Sequence, residues 1–132
     1  MSILIDKKTN VIVQGITGNE GSFHTRTMIE YGTNVVAGIS PTKGGTLFDN
    51  KIPVYTTISE LKKHHAVDAT VIFVSSGYAV SAIMDAFESD IHLIACITEG
   101  IPVLDMLKTI NILKNTKTIL IGPNCPGIIS PE

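Results

Sequence analysis

Val11-Ile12-Val13-Gln14-Gly15-Ile16-Thr17-Gly18-Asn19-Glu20-Gly21-Ser22 sets the architecture of this chain. Its first three residues form a short branched apolar run of the kind that makes a buried strand. Glycines recur at 15, 18 and 21. A helix-period segment opens behind them, with Phe23, Thr27, Met28 and Tyr31 on one face and Gly32 as a left-handed stop. Strand, glycine turn and helix in this order let backbone amides approach a pyrophosphate while the helix N-terminus faces its negative charge. The spacing is G-x-x-G-x-x-G, not the dinucleotide G-x-G-x-x-G, and the same glycines also serve to pack a tight strand-to-helix junction.

The alternation repeats along the chain. Val35-Val36-Ala37, Val71-Ile72-Phe73-Val74, Leu93-Ile94-Ala95-Cys96-Ile97 and Ile119-Leu120-Ile121 are apolar almost throughout, as parallel strands covered on both faces are. A weaker strand spans Ile52 to Tyr55, where Pro53 restricts it to an edge or a strand start. Thr57-Ile58-Ser59-Glu60 is a capping box opening a helix toward His64. Val80, Ile83, Met84 and Phe87 make one helical stripe. Pro102 fits the first turn of a helix carrying Val103, Leu107, Ile110 and Leu113 and ending near Asn115. Strand then helix, repeated, predicts an α/β fold: a single-domain, Rossmann-like, doubly wound and mostly parallel sheet. Residues 1–121 form that domain in this reading, and the breaker-rich 122–132 form a C-terminal loop or linker toward a second domain that the chain lacks.

Composition narrows the function classes. The chain has 132 residues, a net charge of −2 and 44% hydrophobic residues, which suits one compact soluble domain. The near-neutral balance argues against a nucleic-acid surface, and no apolar stretch reaches membrane-spanning length. Met1 to Asp6 is too short in apolar length for a signal peptide, which predicts a cytoplasmic protein, or one of the mitochondrial matrix if a transit peptide has been removed. Cys96 and Cys125 form no C-x-x-C pair, and Cys96 reads as a reduced buried thiol.

Ligands of open parallel sheets bind beyond the carboxyl ends of the strands. The segments there are Gly15 to Ser22, Gly38 to Thr46, Ser75-Ser76-Gly77, Thr98-Glu99-Gly100 and Gly122 to Gly127. The second of them carries Lys43 and none of the acid that holds the ribose of NAD, which suits the phosphate near a ribose in coenzyme A or NADP. Ser75, Ser76 and Thr98 also fit simple helix caps, with Glu99 as a surface acid. His64 and His65 stand at a helix end and, as neighbours, cannot share a helix face; His24 and His92 are isolated. No metal-ligand spacing, Ser-His-Asp set or paired carboxylates can be picked out, so a binding rim is visible and a catalytic engine is not.

Four of these segments in this order resemble the α-subunit of succinate–CoA ligase. They are Gly15 to His24, Pro41-Thr42-Lys43-Gly44-Gly45-Thr46, Ile97-Thr98-Glu99-Gly100-Ile101-Pro102 and Gly122-Pro123-Asn124-Cys125-Pro126-Gly127, and the opening Met1 to Lys7 is similar too. The resemblance covers the whole chain. It implies that Thr17, Gly18, Asn19 and Glu20 lie in the turn that binds the phosphates of coenzyme A, and that Lys43 contacts the nucleotide end. Ile97, Thr98 and Glu99 would flank the cofactor, with Asn124, Cys125 and Pro126 toward the pantetheine arm and its thiol. A β-subunit partner is implied as well, in a reaction that interconverts succinyl-CoA, phosphate and a nucleoside diphosphate with succinate, coenzyme A and a nucleoside triphosphate. That reaction runs through succinyl phosphate and a phosphorylated histidine of a second α-subunit domain. None of His24, His64, His65 and His92 stands in its motif, so the isolated chain is expected to bind coenzyme A without turnover. Ser75-Ser76-Gly77-Tyr78 departs from the proline-rich loop usual in the family. The residues themselves leave two other readings open: an NAD(P)-binding domain of an oxidoreductase or redox sensor, and an interaction module that docks a β-subunit or a missing domain.

Overall fold

The structure, a computed structural model, describes residues 4–130. Val11–Gln14 (β1), Val35–Ile39 (β2), Leu47–Phe48 (β3), Ile52–Tyr55 (β4), Ala69–Ile72 (β5), Leu93–Cys96 (β6) and Ile119–Ile121 (β7) form one sheet, ordered β3-β4-β2-β1-β5-β6-β7. Every pairing is parallel except β3 with β4. The chain winds outward from β1 in one direction and then, from β5, in the other. This is the Rossmann-like, doubly wound plan, and its switch point lies between β1 and β5.

Strand periodicity sorts the apolar residues into two cores. Ile12, Ile72, Ile94 and Cys96 point to one face, where they meet Ile58 and Leu61 of α2 (Ile58–Lys62), Ile83 and Ala86 of α3 (Ser76–Glu88), and Met106 of α4 (Val103–Leu113). Their neighbours Val13, Val71 and Ala95 point to the other, which is the side of α1 (Asn19–Tyr31) and its Met28. Between the layers, buried Gln14 is satisfied on both ends: its Nε2 donates to the Ala82 carbonyl (3.0 Å) and its Oε1 accepts from Thr70 Oγ1 (2.7 Å).

α1 ends as its sequence requires. Gly32 adopts φ 110°, its N–H donates to the Ile29 carbonyl, and the Thr33 N–H reaches back to Met28, which closes a Schellman motif. At α2 the Thr57 hydroxyl accepts from the Glu60 N–H (3.2 Å), which is one half of the expected capping box.

Several expectations need correction. β5 covers Ala69–Ile72, so Phe73 and Val74 lie beyond the strand on the rim. β4 is not an edge, because β3, unforeseen, pairs outside it, so of the two places open to Pro53 it takes the strand start. Pro53 is tolerated there because Val54 turns both its N–H and its C=O outward to Thr46 and Gly45, while pairing with β2 begins only at Val54. The apolar face expected on α1 is not its buried face, because Gly21 and Thr25 pack inward while Phe23 and Tyr31 stay exposed. α4 likewise buries Met106, Thr109 and Leu113 and leaves Val103, Leu107 and Ile110 exposed. The strands are not all covered on both faces, since Ile119 of β7 is 44% exposed. His64 and His65 lie past the end of α2 and flank one ring: His64 stacks on Tyr55 (5.8 Å, 14°) and His65 Nε2 meets the Tyr55 hydroxyl at 2.9 Å. Their adjacency on a helix is therefore not the relevant constraint.

Candidate functional site

The glycine turn after β1 is built by close approach of backbone to backbone. Gly15 takes φ +88° and sits against the peptide that follows β5, so that a side chain there would come within 3.0 Å of the Phe73 carbonyl carbon and 3.1 Å of the Val74 nitrogen. Its N–H donates to the Ile39 carbonyl at the end of β2 (3.0 Å). Gly21 lies over the Gly15 carbonyl so closely that a methyl group would overlap the carbonyl oxygen. The two glycines thus seat the start of α1 directly on the end of β1.

That helix start is open. Its N-cap is Gly18, extended at φ −73° and ψ 167°, and no side chain caps it. The first bond closing over it runs from the Ser22 N–H to the Gly18 carbonyl (2.9 Å), so the amides of Asn19, Glu20 and Gly21 precede the helical ladder. They carry the positive end of the helix dipole.

Two further loops meet this turn. The Thr17 hydroxyl donates to Ser40 Oγ (3.1 Å), and Ser40 Oγ also accepts from the Lys43 N–H (3.3 Å). Thr46 Oγ1 then donates to the Lys43 carbonyl (2.7 Å), tightening the loop that carries the exposed Lys43 side chain. Ser40, 3% exposed, therefore fixes the Lys43 loop to the glycine turn, a role that sequence reasoning did not assign. On the other side of the switch point Thr98 Oγ1 donates to the Val74 carbonyl (2.6 Å), where a helix cap was one expectation. The Asn124 N–H donates to the Thr98 carbonyl (2.9 Å), and Cys125 Sγ to the Cys96 carbonyl (3.3 Å).

The expected site residues thus fall into two sets. Thr17, next to Gly18, Asn19 and Glu20 in the turn, joins Lys43 through Ser40, while Thr98, between Ile97 and Glu99, is bonded to Asn124, next to Cys125 and Pro126. The Phe73–Val74 peptide touches both, pressed by Gly15 on one side and held by Thr98 on the other. Phe73 also stacks with His24 (5.2 Å, 7°), a contact that no sequence periodicity announces. Burial pushes the Cys96 thiol above its ordinary pKa, which makes it a poor nucleophile, and Cys125 is only partly covered. Among the described residues no group of His, Cys, Asp or Glu is placed to hold a metal, and no helix is long and apolar enough to cross a membrane.

Residues 6–100 match the CoA binding domain family. The chain belongs to that family. Among curated proteins, this CoA binding domain is 46% identical over its whole length to the protein named succinate–CoA ligase [ADP-forming] subunit alpha in Staphylococcus epidermidis, and equally to its namesake in Staphylococcus aureus. It spans 43% of each, less than half their length. Among solved structures it resembles ATP citrate lyase of Methanosaeta concilii in complex with (3S)-citryl-CoA, with a TM-score of 0.73 and 26% identity over 92% of this chain and 22% of that one. The rim suits the cofactor that defines the family. It has uncapped helix amides for a diphosphate, and no acid between Ile39 and Leu47 to repel a phosphorylated ribose.

Proposed function

We propose that the rim holds coenzyme A along its length, with the diphosphate on the amides of Asn19, Glu20 and Gly21 and the Thr17 hydroxyl beside it. Glu20 contributes its N–H and turns its carboxylate outward, since that charge would repel a phosphate. Lys43 pairs with the phosphate at the nucleotide end. Ile97, Thr98 and Glu99 flank the middle of the molecule, and Asn124, Cys125 and Pro126 line the path of the pantetheine arm. The observation that carries this reading is the uncapped start of α1, locked by Ser40 to a loop that offers a lysine and no carboxylate.

The function that follows is cofactor binding as the front part of a succinate–CoA ligase α-subunit. Residues 122–132 serve as the connector to further domains, and a β-subunit completes the enzyme. In that assembly succinyl-CoA, phosphate and a nucleoside diphosphate are interconverted with succinate, coenzyme A and a nucleoside triphosphate. We assign the chain alone no turnover, because none of its four histidines stands in the phosphohistidine motif. The bacterial relatives favour the cytoplasm over the mitochondrial matrix. An oxidoreductase or redox-sensor reading has less support, because the loop after β2 lacks the acid that NAD-binding folds place there.

Titration calorimetry tests the assignment. Coenzyme A should bind and NADH should not. Lys43→Ala should weaken coenzyme A about tenfold, close to 1.4 kcal/mol, while leaving dephospho-coenzyme A unchanged. Equal binding of NADH, or equal loss for both coenzyme A forms, rejects the placement of Lys43 at the nucleotide end.

A further inference from the structure

Ser40 stands just past β2, where its N–H donates to the Tyr55 carbonyl at the end of β4 (3.0 Å). Its backbone is thereby fixed to the sheet, and its side chain is buried. The hydroxyl oxygen accepts from the Thr17 hydroxyl (3.1 Å) and from the Lys43 N–H (3.3 Å). Among the described residues no other hydrogen bond runs between the glycine turn and residues 40–46. The far side of the loop is tied elsewhere: Thr46 Oγ1 bonds the Lys43 carbonyl, and the Gly45 N–H bonds Val54.

A serine hydroxyl has one proton to give and two lone pairs to receive with. Thr17 and Lys43 engage both lone pairs, so the Ser40 proton has no acceptor among the described residues. A buried donor without an acceptor is costly. Two hydroxyls at this separation exchange roles when each turns its proton. A phosphate oxygen arriving beside Thr17 favours that exchange, because the Thr17 O–H then points to the anion and the Ser40 O–H to Thr17 Oγ1. Every hydroxyl proton now has an acceptor. The chain of bonds runs from the Lys43 N–H through Ser40 and Thr17 to the phosphate, all donors aimed the same way. Bonds in such a chain polarise and strengthen one another, so the long contact from Lys43 to Ser40 tightens.

We infer that Ser40 is a positioning residue that couples two phosphate contacts of the ligand. A diphosphate at the start of α1 draws in the Lys43 loop through the Ser40 hydroxyl, so recognition of the phosphate at the nucleotide end needs that hydroxyl as well as the Lys43 ammonium. This role rests on the placement of coenzyme A proposed above.

Amide NMR and calorimetry on the 132-residue chain test it with dephospho-coenzyme A, which carries the diphosphate and lacks the phosphate assigned to Lys43. Its binding should move the Lys43 amide resonance in the parent. The same resonance should stay in place in Thr17→Val, which exchanges one half-buried hydroxyl for a methyl group. Thr46→Val loosens the loop on its far side and should leave the Lys43 response intact. In calorimetry the parent should hold coenzyme A about tenfold more tightly than dephospho-coenzyme A. Ser40→Ala should cut that preference to less than about threefold with Lys43 still present, and adding Lys43→Ala should cost no more than about a further twofold. If Ser40→Ala does not fold, the Thr17→Val comparison decides alone. A Lys43 amide that ignores dephospho-coenzyme A in the parent, or moves as far in Thr17→Val, overturns the role of Ser40. So does a Ser40→Ala protein weakened equally toward both ligands with its preference intact. A parent that binds both ligands alike fails the Lys43 placement itself, and the role of Ser40 with it.

Discussion

Gly21→Ala probes how tightly the helix start is set on β1. A methyl group at this position would overlap the Gly15 carbonyl oxygen and stand 2.9 Å from its carbon and 3.4 Å from Ile16 Cα. All three are backbone atoms of the turn, so no side chain can swing aside, and α1 must lift by about 1 Å to regain ordinary contact. Overpacking of this kind costs up to about 3 kcal/mol, and alanine's better helix propensity returns about 1 kcal/mol. The net loss is about 2 kcal/mol, equivalent to a fall in Tm of roughly 6–10 °C for a domain of this size. Lifting the helix also withdraws the Asn19 and Glu20 amides, so affinity for coenzyme A should fall at least tenfold. Gly77→Ala is the control, because nothing lies within 4 Å of its added methyl and the residue is in the first turn of α3. It should stabilise by about 0.5–1 kcal/mol. Urea unfolding and calorimetry on both variants decide. A Gly21→Ala protein as stable as the parent, with undiminished binding, refutes the packed-turn geometry.

Other expectations follow from single contacts. Thr70→Val removes the hydroxyl that Gln14 Oε1 accepts from and should cost about 1–3 kcal/mol in urea unfolding, much of it recovered in the Gln14→Leu/Thr70→Val double variant. Partial burial, with Glu88 nearby, holds the Asp85 carboxyl above its usual range, so its charge opposes folding increasingly as the pH rises from the ordinary aspartate range and in full above the raised value. Asp85→Asn should therefore be the more stable protein at pH 7, and the gap should close as the pH falls below the ordinary aspartate range of about 4. A gap that persists at pH 3 would show that the effect is not the charge. N-ethylmaleimide followed by mass spectrometry should label Cys125 and leave buried Cys96 untouched until the protein unfolds; equal labelling contradicts its raised thiol pKa.

The parts of the fold that were legible in the sequence are those fixed by local composition. β1, β2, β6 and β7 are apolar runs bounded by breakers, and Gly32 stops α1 because no other residue takes φ 110° so easily. β3 was hidden because two residues make no period, yet Asp49-Asn50 was a usable signal. Both residues adopt positive φ, and the Lys51 N–H closes the hairpin turn on Phe48 (3.0 Å). The face of α4 was misread because it carries apolar residues nearly all round, so periodicity could not say which stripe meets the sheet, and that of α1 because the residues that pack inward, Gly21 and Thr25, are small and not apolar side chains. At the rim, the glycine spacing and Lys43 were readable as residues. Their linkage through Ser40 and the Phe73–Val74 peptide was not, since it joins segments that only the sheet order brings together.

Amide resonances followed by heteronuclear NMR during a coenzyme A titration address the site most directly. The Asn19, Glu20 and Gly21 N–H signals should move furthest and saturate together with those of Ser40 and Lys43. Saturable binding that leaves the start of α1 unmoved, with the shifts gathered at another edge of the sheet, would contradict the account.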